Sequence, residues 1–90
     1  MLRKDVKDQV IKKFARSSTD VGSSEVQVAL LSERIRQIAA HLQSFTKDFH
    51  SQRGLLSAVG QRRTLLSYLK RTDAQRHEKL MKSLKENGYI

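Results

Sequence analysis

The sequence predicts an all-α domain. It contains no proline, and the strict alternation of apolar and polar residues that is typical of strands is rare along it. Apolar residues instead recur every three or four positions in four stretches, which is the spacing of amphipathic helices. At 90 residues, the chain is expected to form one domain, residues 1–90.

The first two predicted helices differ in the strength of their apolar pattern. Helix one, about 4–15, is short, so we expect it to be only loosely docked. Its apolar side is formed by Val6, Val10, Ile11 and Phe14. Helix two, about 24–44, begins where Ser24-Glu25-Val26-Gln27 fits a capping box. Its apolar seam is formed by Val28, Leu31, Ile35, Ile38 and Leu42.

The last two helices follow a short loop and a second cap. Helix three, about 50–71, is interrupted by Arg62 and Arg63, whose aliphatic stems can cover the core. Its seam is formed by Leu55, Leu56, Val59, Leu65, Leu66 and Leu69. Helix four, about 73–86, starts at a Thr72-Asp73 cap and stops at Asn87-Gly88. Its inward residues are predicted to be Ala74, His77, Leu80, Met81 and Leu84.

The short loop at about 45–49 predicts that helices two and three are antiparallel neighbours. Each has roughly 20 residues and is therefore roughly 30 Å long. The expected architecture is a long helical hairpin with helix four packed along it.

Composition limits the classes of function. Eighteen Lys and Arg against nine Asp and Glu give a formal charge of +9, which favours nucleic acid first, an anionic membrane surface second and an acidic protein third. The absence of cysteine excludes thiol catalysis, disulfides and thiolate zinc sites. The three histidines lack the spacing of a helical metal site, so neither metal nor cofactor is expected.

The sequence also lacks targeting and catalytic signals. No apolar run approaches the ~20 residues of a membrane span, and the N-terminus lacks the hydrophobic core of a secretory signal. We expect a cytosolic protein, or an imported one without its targeting piece. No catalytic triad, paired-carboxylate site or phosphate-binding glycine loop is apparent, so we expect no enzymatic activity.

Two polar clusters are predicted on the hairpin. Gln27, Arg34 and His41 are seven residues apart and share one face of helix two. Pairing the helices about the loop places Gln27 near Tyr68, at the end where Val21 and Gly22 also lie. His41, Asp48 and Ser51 gather at the other end, roughly 20 to 30 Å away.

Each of these residues also has a structural explanation. Gln27 can close the capping box, Tyr68 can be a packed ring, His41 can be an ordinary surface residue, and Asp48 with Ser51 can cap helix three. Together they favour RNA, because the shallow groove of A-form RNA presents 2′-hydroxyls and guanine amino groups to short polar side chains. Four arginines can hold phosphates: Arg34, Arg53, Arg63 and Arg71.

Two other functions stay open on these residues alone. One is a helical protein-interaction module that meets an acidic partner, and the other is a basic DNA-binding protein.

Three segments carry a family resemblance. They are 20–31 (DVGSSEVQVALL), 47–56 (KDFHSQRGLL) and 61–71 (QRRTLLSYLKR). With these segments and its helix layout, the chain resembles small-subunit ribosomal protein fifteen of the bacterial type over nearly its whole length. The chain departs from the usual family pattern at Val21, where threonine is common, at Phe45 and Phe49, where histidines are common, and at Gln52, where arginine is common.

The resemblance implies a structural protein of the cytoplasmic ribosome that binds small-subunit ribosomal RNA early in assembly, beside neighbouring small-subunit proteins. It implies that Gly22, Gln27, Arg34 and Tyr68, with Val21 by position, contact a three-way junction. It assigns His41, Asp48 and Ser51 to the shallow groove of a nearby RNA helix. Family members also touch the large subunit in an intersubunit bridge, and some repress their own messenger RNA.

Overall fold

The structure is a computed structural model, which describes residues 4–14 and 23–89. These residues form four helices and no strand: α1 (Lys4–Phe14), α2 (Ser24–Ser44), α3 (Phe49–Thr72) and α4 (Ala74–Glu86). The predicted all-α class and the order of the four helices are therefore confirmed. The boundaries agree with the predicted ones to within one residue.

Helices α2 and α3 form the predicted antiparallel hairpin. The loop between them is closed by two backbone hydrogen bonds, from Phe45 N–H to the His41 carbonyl (3.0 Å) and from Asp48 N–H to the Phe45 carbonyl (3.1 Å). Further along the pair, Arg62 Nη1 donates to Ser32 Oγ at 3.3 Å. This bond links the two helices well away from the loop.

The cap of α2 differs from the prediction by one residue. Ser23, not Ser24, is the N-cap, and its hydroxyl accepts a hydrogen bond from Val26 N–H at 3.3 Å. Val26 therefore occupies the third helical position, where a capping box needs Glu or Gln. The capping box that includes Gln27 is wrong, and the side chain of Gln27 is exposed instead.

Helix α4 begins and ends as its sequence predicts. The Asp73 carboxylate caps it by accepting from Arg76 N–H (3.2 Å), and the Arg76 side chain reaches Glu25 at the start of α2, with Nε 3.0 Å from Oε2. At the other end, Gly88 has a positive φ of 76°. Gly88 N–H donates to the Lys85 carbonyl and Tyr89 N–H to the Leu84 carbonyl, which is the Schellman arrangement.

The core lies where α1, α3 and α4 meet α2. Its buried residues are Val10, Phe14, Val26, Val28, Ala29, Leu69, Leu80 and Leu84. Helix α1 packs on α2 and buries Val10 and Phe14. The ring of Tyr89 lies 6.2 Å from that of Phe14, which joins the end of the chain to α1.

Several positions differ from the predicted apolar pattern. Leu56, expected in the seam of α3, is 73% exposed, because neither α2 nor α4 covers that side of α3 near the loop. Ala74, expected to face inward, is exposed in the first turn of α4. Glu33 is buried at 3% exposure, although it is charged, and its Oε1 accepts from Arg36 Nη2 at 2.8 Å.

Candidate nucleic-acid interface

Three polar side chains meet beside the hairpin loop, as predicted, and we call them the loop cluster (His41, Asp48 and Ser51). The Asp48 carboxylate stands at its centre. Its Oδ2 accepts from Ser51 Oγ at 2.7 Å and lies 2.9 Å from His41 Nε2. Its Oδ1 accepts from Ser51 N–H at 3.1 Å and so caps α3. One carboxylate therefore connects the end of α2 to the start of α3.

These hydrogen bonds hold Asp48 in its ionised form. The hydroxyl of Ser51, then His41, then the backbone N–H of Ser51 lower the pKa of Asp48 to about 2, from an ordinary value of 3.8. The side chain nevertheless remains about a third exposed. The loop cluster thus presents an oriented, ionised acceptor at the surface of a strongly basic protein.

The loop cluster contains the residue types of a serine-protease triad in a different order. In the triad, histidine stands between serine and aspartate and removes the serine proton. Here Asp48 stands between the other two, and Ser51 donates to the carboxylate. Ser51 therefore has no histidine base, and the arrangement does not activate a nucleophile. Within residues 4–14 and 23–89, no three His, Asp or Glu residues are placed to hold a metal ion.

The surroundings of the loop cluster are partly aromatic. The ring of Phe45 stacks on His41, with centroids 4.7 Å apart and planes inclined by 23°. Phe45 and Phe49 are both largely exposed. A recess of about 220 Å³, lined by Gln37, Ile38, His41 and Ser51, opens beside the cluster. A small polar group of a ligand could enter this recess and meet the imidazole and the hydroxyl.

The second set of predicted residues lies between the middle of α2 and the end of the hairpin opposite the loop, and we call it the Tyr68 surface (Gln27, Arg34, Tyr68 and Arg71). All four side chains are exposed. The ring of Tyr68 is 51% exposed, and the Arg71 guanidinium carbon lies 5.8 Å from its centroid. Tyr68 is thus not a core residue, although Leu69 beside it is buried.

The helix register supports the predicted placement of Gln27 and Tyr68. Ser32 and Arg62 are in contact across the two helices. Because the two helices are antiparallel, residues before Ser32 on α2 lie beside residues after Arg62 on α3. Gln27 is five residues before Ser32, and Tyr68 is six residues after Arg62. The two residues are therefore at nearly the same level. Val21 and Gly22, which were predicted to lie at the same end, fall outside the described residues.

The predicted phosphate contacts do not share one face. Arg53, Arg63 and Arg71 are all exposed on α3. Arg63, however, lines a groove between α3 and α4 together with Lys70 and His77, away from Tyr68. Arg63 was predicted to hold phosphates, whereas Lys70 was not singled out and His77 was predicted only to face inward on helix four. The heptad spacing of Arg63 and Lys70 is the signal that could have indicated this basic face.

Comparisons with known proteins agree with the earlier resemblance. The family model described as Ribosomal protein S15 matches residues 7–87. The small ribosomal subunit protein uS15 of a Thermoanaerobacter species is 54% identical over 84 residues, which cover 93% of this chain and 96% of the relative. The proteins of the same name from Levilactobacillus brevis and Heliobacterium modesticaldum are 54% and 53% identical over 78 residues, 87% of this chain and 88% of each relative.

None of the helices in the described ranges is long and apolar enough to cross a membrane. The family match spans most of α1, all of α2, α3 and α4, the whole hairpin loop and both sets of polar residues. This chain belongs to the ribosomal protein S15 family.

Proposed function

We propose that this protein is a structural constituent of the small subunit of the cytoplasmic ribosome and that it binds small-subunit ribosomal RNA directly, without enzymatic activity. Three observations support the proposal. The family is that of a small-subunit ribosomal protein. The formal charge of +9 favours a polyanion. The loop cluster holds hydrogen-bonding groups, and none of them is arranged as a nucleophile with its base.

The observation that carries the proposal is the ionised carboxylate of Asp48 at an exposed site. A carboxylate on a basic surface would weaken a purely electrostatic contact with phosphates. It suits the shallow groove of A-form RNA, where it can accept from a guanine amino group or a 2′-hydroxyl. The hydrogen bonds from Ser51 and His41 hold it in one orientation, so little ordering is needed on binding.

The Tyr68 surface supplies the second contact of the proposed mechanism. Gln27 can exchange hydrogen bonds with bases and sugars, Tyr68 offers a ring face and a hydroxyl, and Arg34 and Arg71 can pair with phosphates. We propose that this surface binds a three-way RNA junction, to which Gly22 and the Val21 position also contribute. The departure at Val21 leaves no side-chain hydroxyl at that position.

Two separate contacts on one rigid support explain how such a protein would act in assembly. The hairpin is stiffened by the Ser32–Arg62 bond and by the Asp48 cap. An RNA that satisfies both surfaces must adopt one junction geometry, so binding favours that geometry over the others. The proposed partners also include neighbouring small-subunit proteins, large-subunit RNA through an intersubunit bridge, and the protein's own messenger RNA.

Competition between nucleic acids separates RNA binding from a general affinity for polyanions. Junction-containing small-subunit RNA should compete much better than duplex DNA of equal length. Ser51→Ala removes one hydroxyl of the loop cluster and should lower the RNA-over-DNA preference about 5-fold, equivalent to one hydrogen bond of ~1 kcal/mol. Ser44→Ala, which removes an exposed hydroxyl outside the cluster, serves as the matched control. Equal preference for DNA and RNA in the unmodified protein would refute the proposal.

A further inference from the structure

A second basic site lies outside both proposed RNA contacts. A groove of about 370 Å³ opens between α3 and α4, and we call it the α3–α4 groove. Its apolar lining comes from Val59 and Leu66. Four basic side chains line it: Arg62, Arg63, Lys70 and His77. Ser67 completes the lining, which includes no acidic residue.

The α3–α4 groove faces away from the Tyr68 surface. Leu66 and Lys70 stand two residues before and two residues after Tyr68, and two residues of an α-helix correspond to a rotation of roughly 200°. Their side chains therefore leave α3 on the side opposite to Tyr68. Since a helix with its side chains is roughly 10–12 Å across, the groove and the Tyr68 ring are separated by about the width of α3.

One cation in the groove is held in a defined position. Arg62 is partly buried, and its Nη1 donates to Ser32 Oγ at 3.3 Å. Ser32 is itself buried and donates to the Val28 carbonyl at 2.8 Å. This chain of hydrogen bonds anchors one edge of the guanidinium, which carries five N–H donors in total. Arg63 and Lys70, in contrast, are exposed at the groove and free to adjust to a ligand.

The chemistry of the lining favours a phosphodiester backbone. Its three permanent cations, Arg62, Arg63 and Lys70, present only donors and positive charge. Arginine and lysine are the usual partners of phosphate oxygens. An acidic protein segment would match the charge, but protein interfaces are mostly anchored by large aromatic side chains in closed pockets, and this open groove has no Phe, Tyr or Trp in its lining.

We propose that the α3–α4 groove binds the phosphate backbone of a second segment of small-subunit ribosomal RNA, with Arg63 and Lys70 as the main phosphate-binding side chains. The inference rests on the proposed function, since it assumes an RNA ligand. It assigns Arg63 to a different RNA segment from the one that meets Tyr68 and Arg71. The protein would then be held between two RNA segments on opposite flanks of α3.

The test compares two double variants of equal charge on the same RNA. The groove variant combines Arg63→Gln with Lys70→Gln. The control combines Lys12→Gln with Lys82→Gln and removes two exposed charges elsewhere. Each double variant lowers the formal charge from +9 to +7. On purified small-subunit ribosomal RNA, we expect the groove variant to lose about 10-fold in affinity and its log–log salt slope to become less steep by about 1.4 to 1.8, the equivalent of two phosphate contacts. The control should lose less than about 2-fold and keep its slope.

The outcomes separate this proposal from the proposed function. If the unmodified protein does not bind the RNA, both fail. If it binds and the groove variant behaves like the control, only the groove proposal is overturned. Circular dichroism checks that each variant is folded. If the double variant is not, Lys70→Gln alone is compared with Lys82→Gln, with an expected slope change of about 0.7 to 0.9.

A second measurement locates the RNA segment. Because the sequence has no cysteine, a single cysteine introduced by Lys70→Cys or by Thr64→Cys can be labelled with an iron chelate that cuts nearby RNA. Thr64 is exposed and lies one turn from Tyr68, so its chelate reports on the Tyr68 surface. We expect the two chelates to give their strongest cuts in different segments of small-subunit RNA. Coincident cuts would overturn the proposal of a second segment. Cuts from position 70 that appear only after the large subunit is added would assign the groove to another partner.

Discussion

Replacement of Tyr68 by alanine separates an RNA-contact role from a packing role. A tyrosine covers roughly 150–250 Å² when fully buried. Because 51% of Tyr68 is exposed, roughly 100 Å² is covered, and alanine keeps the part at Cβ. At roughly 25 cal/mol per Å², Tyr68→Ala should lower the free energy of unfolding by about 1 to 2 kcal/mol, because a compact unfolded chain already covers part of this area. For a domain of this size, each kcal/mol of lost stability lowers Tm by roughly 4–8 °C.

The effect on RNA binding should be separate from the effect on folding. Loss of a ring that stacks on a base costs roughly 1–3 kcal/mol, equivalent to about 5- to 150-fold in affinity. Affinity is measured by filter binding well below Tm, where both proteins are folded, and Tm by circular dichroism. Leu84→Met is the control, because Leu84 is fully buried in α4 and this swap costs less than about 1.5 kcal/mol.

The two variants should therefore show comparable stability and different affinity. If Tyr68→Ala binds the RNA as tightly per folded molecule as Leu84→Met does, the Tyr68 surface is not an RNA contact. A loss of helicity in Tyr68→Ala with unchanged affinity would favour the alternative of a protein-interaction module.

Three further outcomes are expected. In a chemical-shift titration, the Asp48 carboxylate should have a midpoint near pH 2, so the stability that it contributes is present above about pH 4 and is lost as the pH falls toward 2. Ser51→Ala should move this midpoint toward 3.8. A midpoint near 3.8 in the unmodified protein would contradict the hydrogen bonds described for Asp48. Contact with about six phosphates should give a log–log salt slope of about −4 to −5 for small-subunit RNA, and a slope near zero would rule out charge-led binding. In hydrogen exchange, the amides of α1 should be less protected than those of α2, because α1 is short and only Val10 and Phe14 are buried; equal protection would show that it is as stable as the hairpin.

Local signals in the sequence predicted most of the fold. The Asp48 and Asp73 caps, the Asn87-Gly88 stop and the short loop define the ends of α3 and α4 and the direction of the hairpin. The loop cluster was predicted for the same reason, since a short loop brings the end of α2 to the start of α3. Helix α2 starts at Ser24 as predicted, but its N-cap was assigned to the wrong serine because Ser23 and Ser24 are both good N-caps, and only coordinates distinguish them.

What the sequence did not predict depends on which neighbours each helix has. The predicted seam of α2 faced one partner, but α2 packs against both α1 and α3. Two flanks of α2 are therefore covered, and Ala29 and Glu33 become buried beside the expected residues. The exposure of Leu56 has the opposite cause, since α3 extends past α4 near the loop. The α3–α4 groove was missed because His77 reaches it from a different helix.

Gly88 has a consequence beyond ending α4. Its positive φ is a conformation that a side chain with a β-carbon adopts only with strain, and it turns the backbone so that the Tyr89 ring lies near Phe14 and 5.5 Å from the Arg36 guanidinium. Replacing this glycine would tend to swing that ring away and uncover Phe14. A change near the carboxyl end would then alter the packing of the first helix, which lies near the amino end.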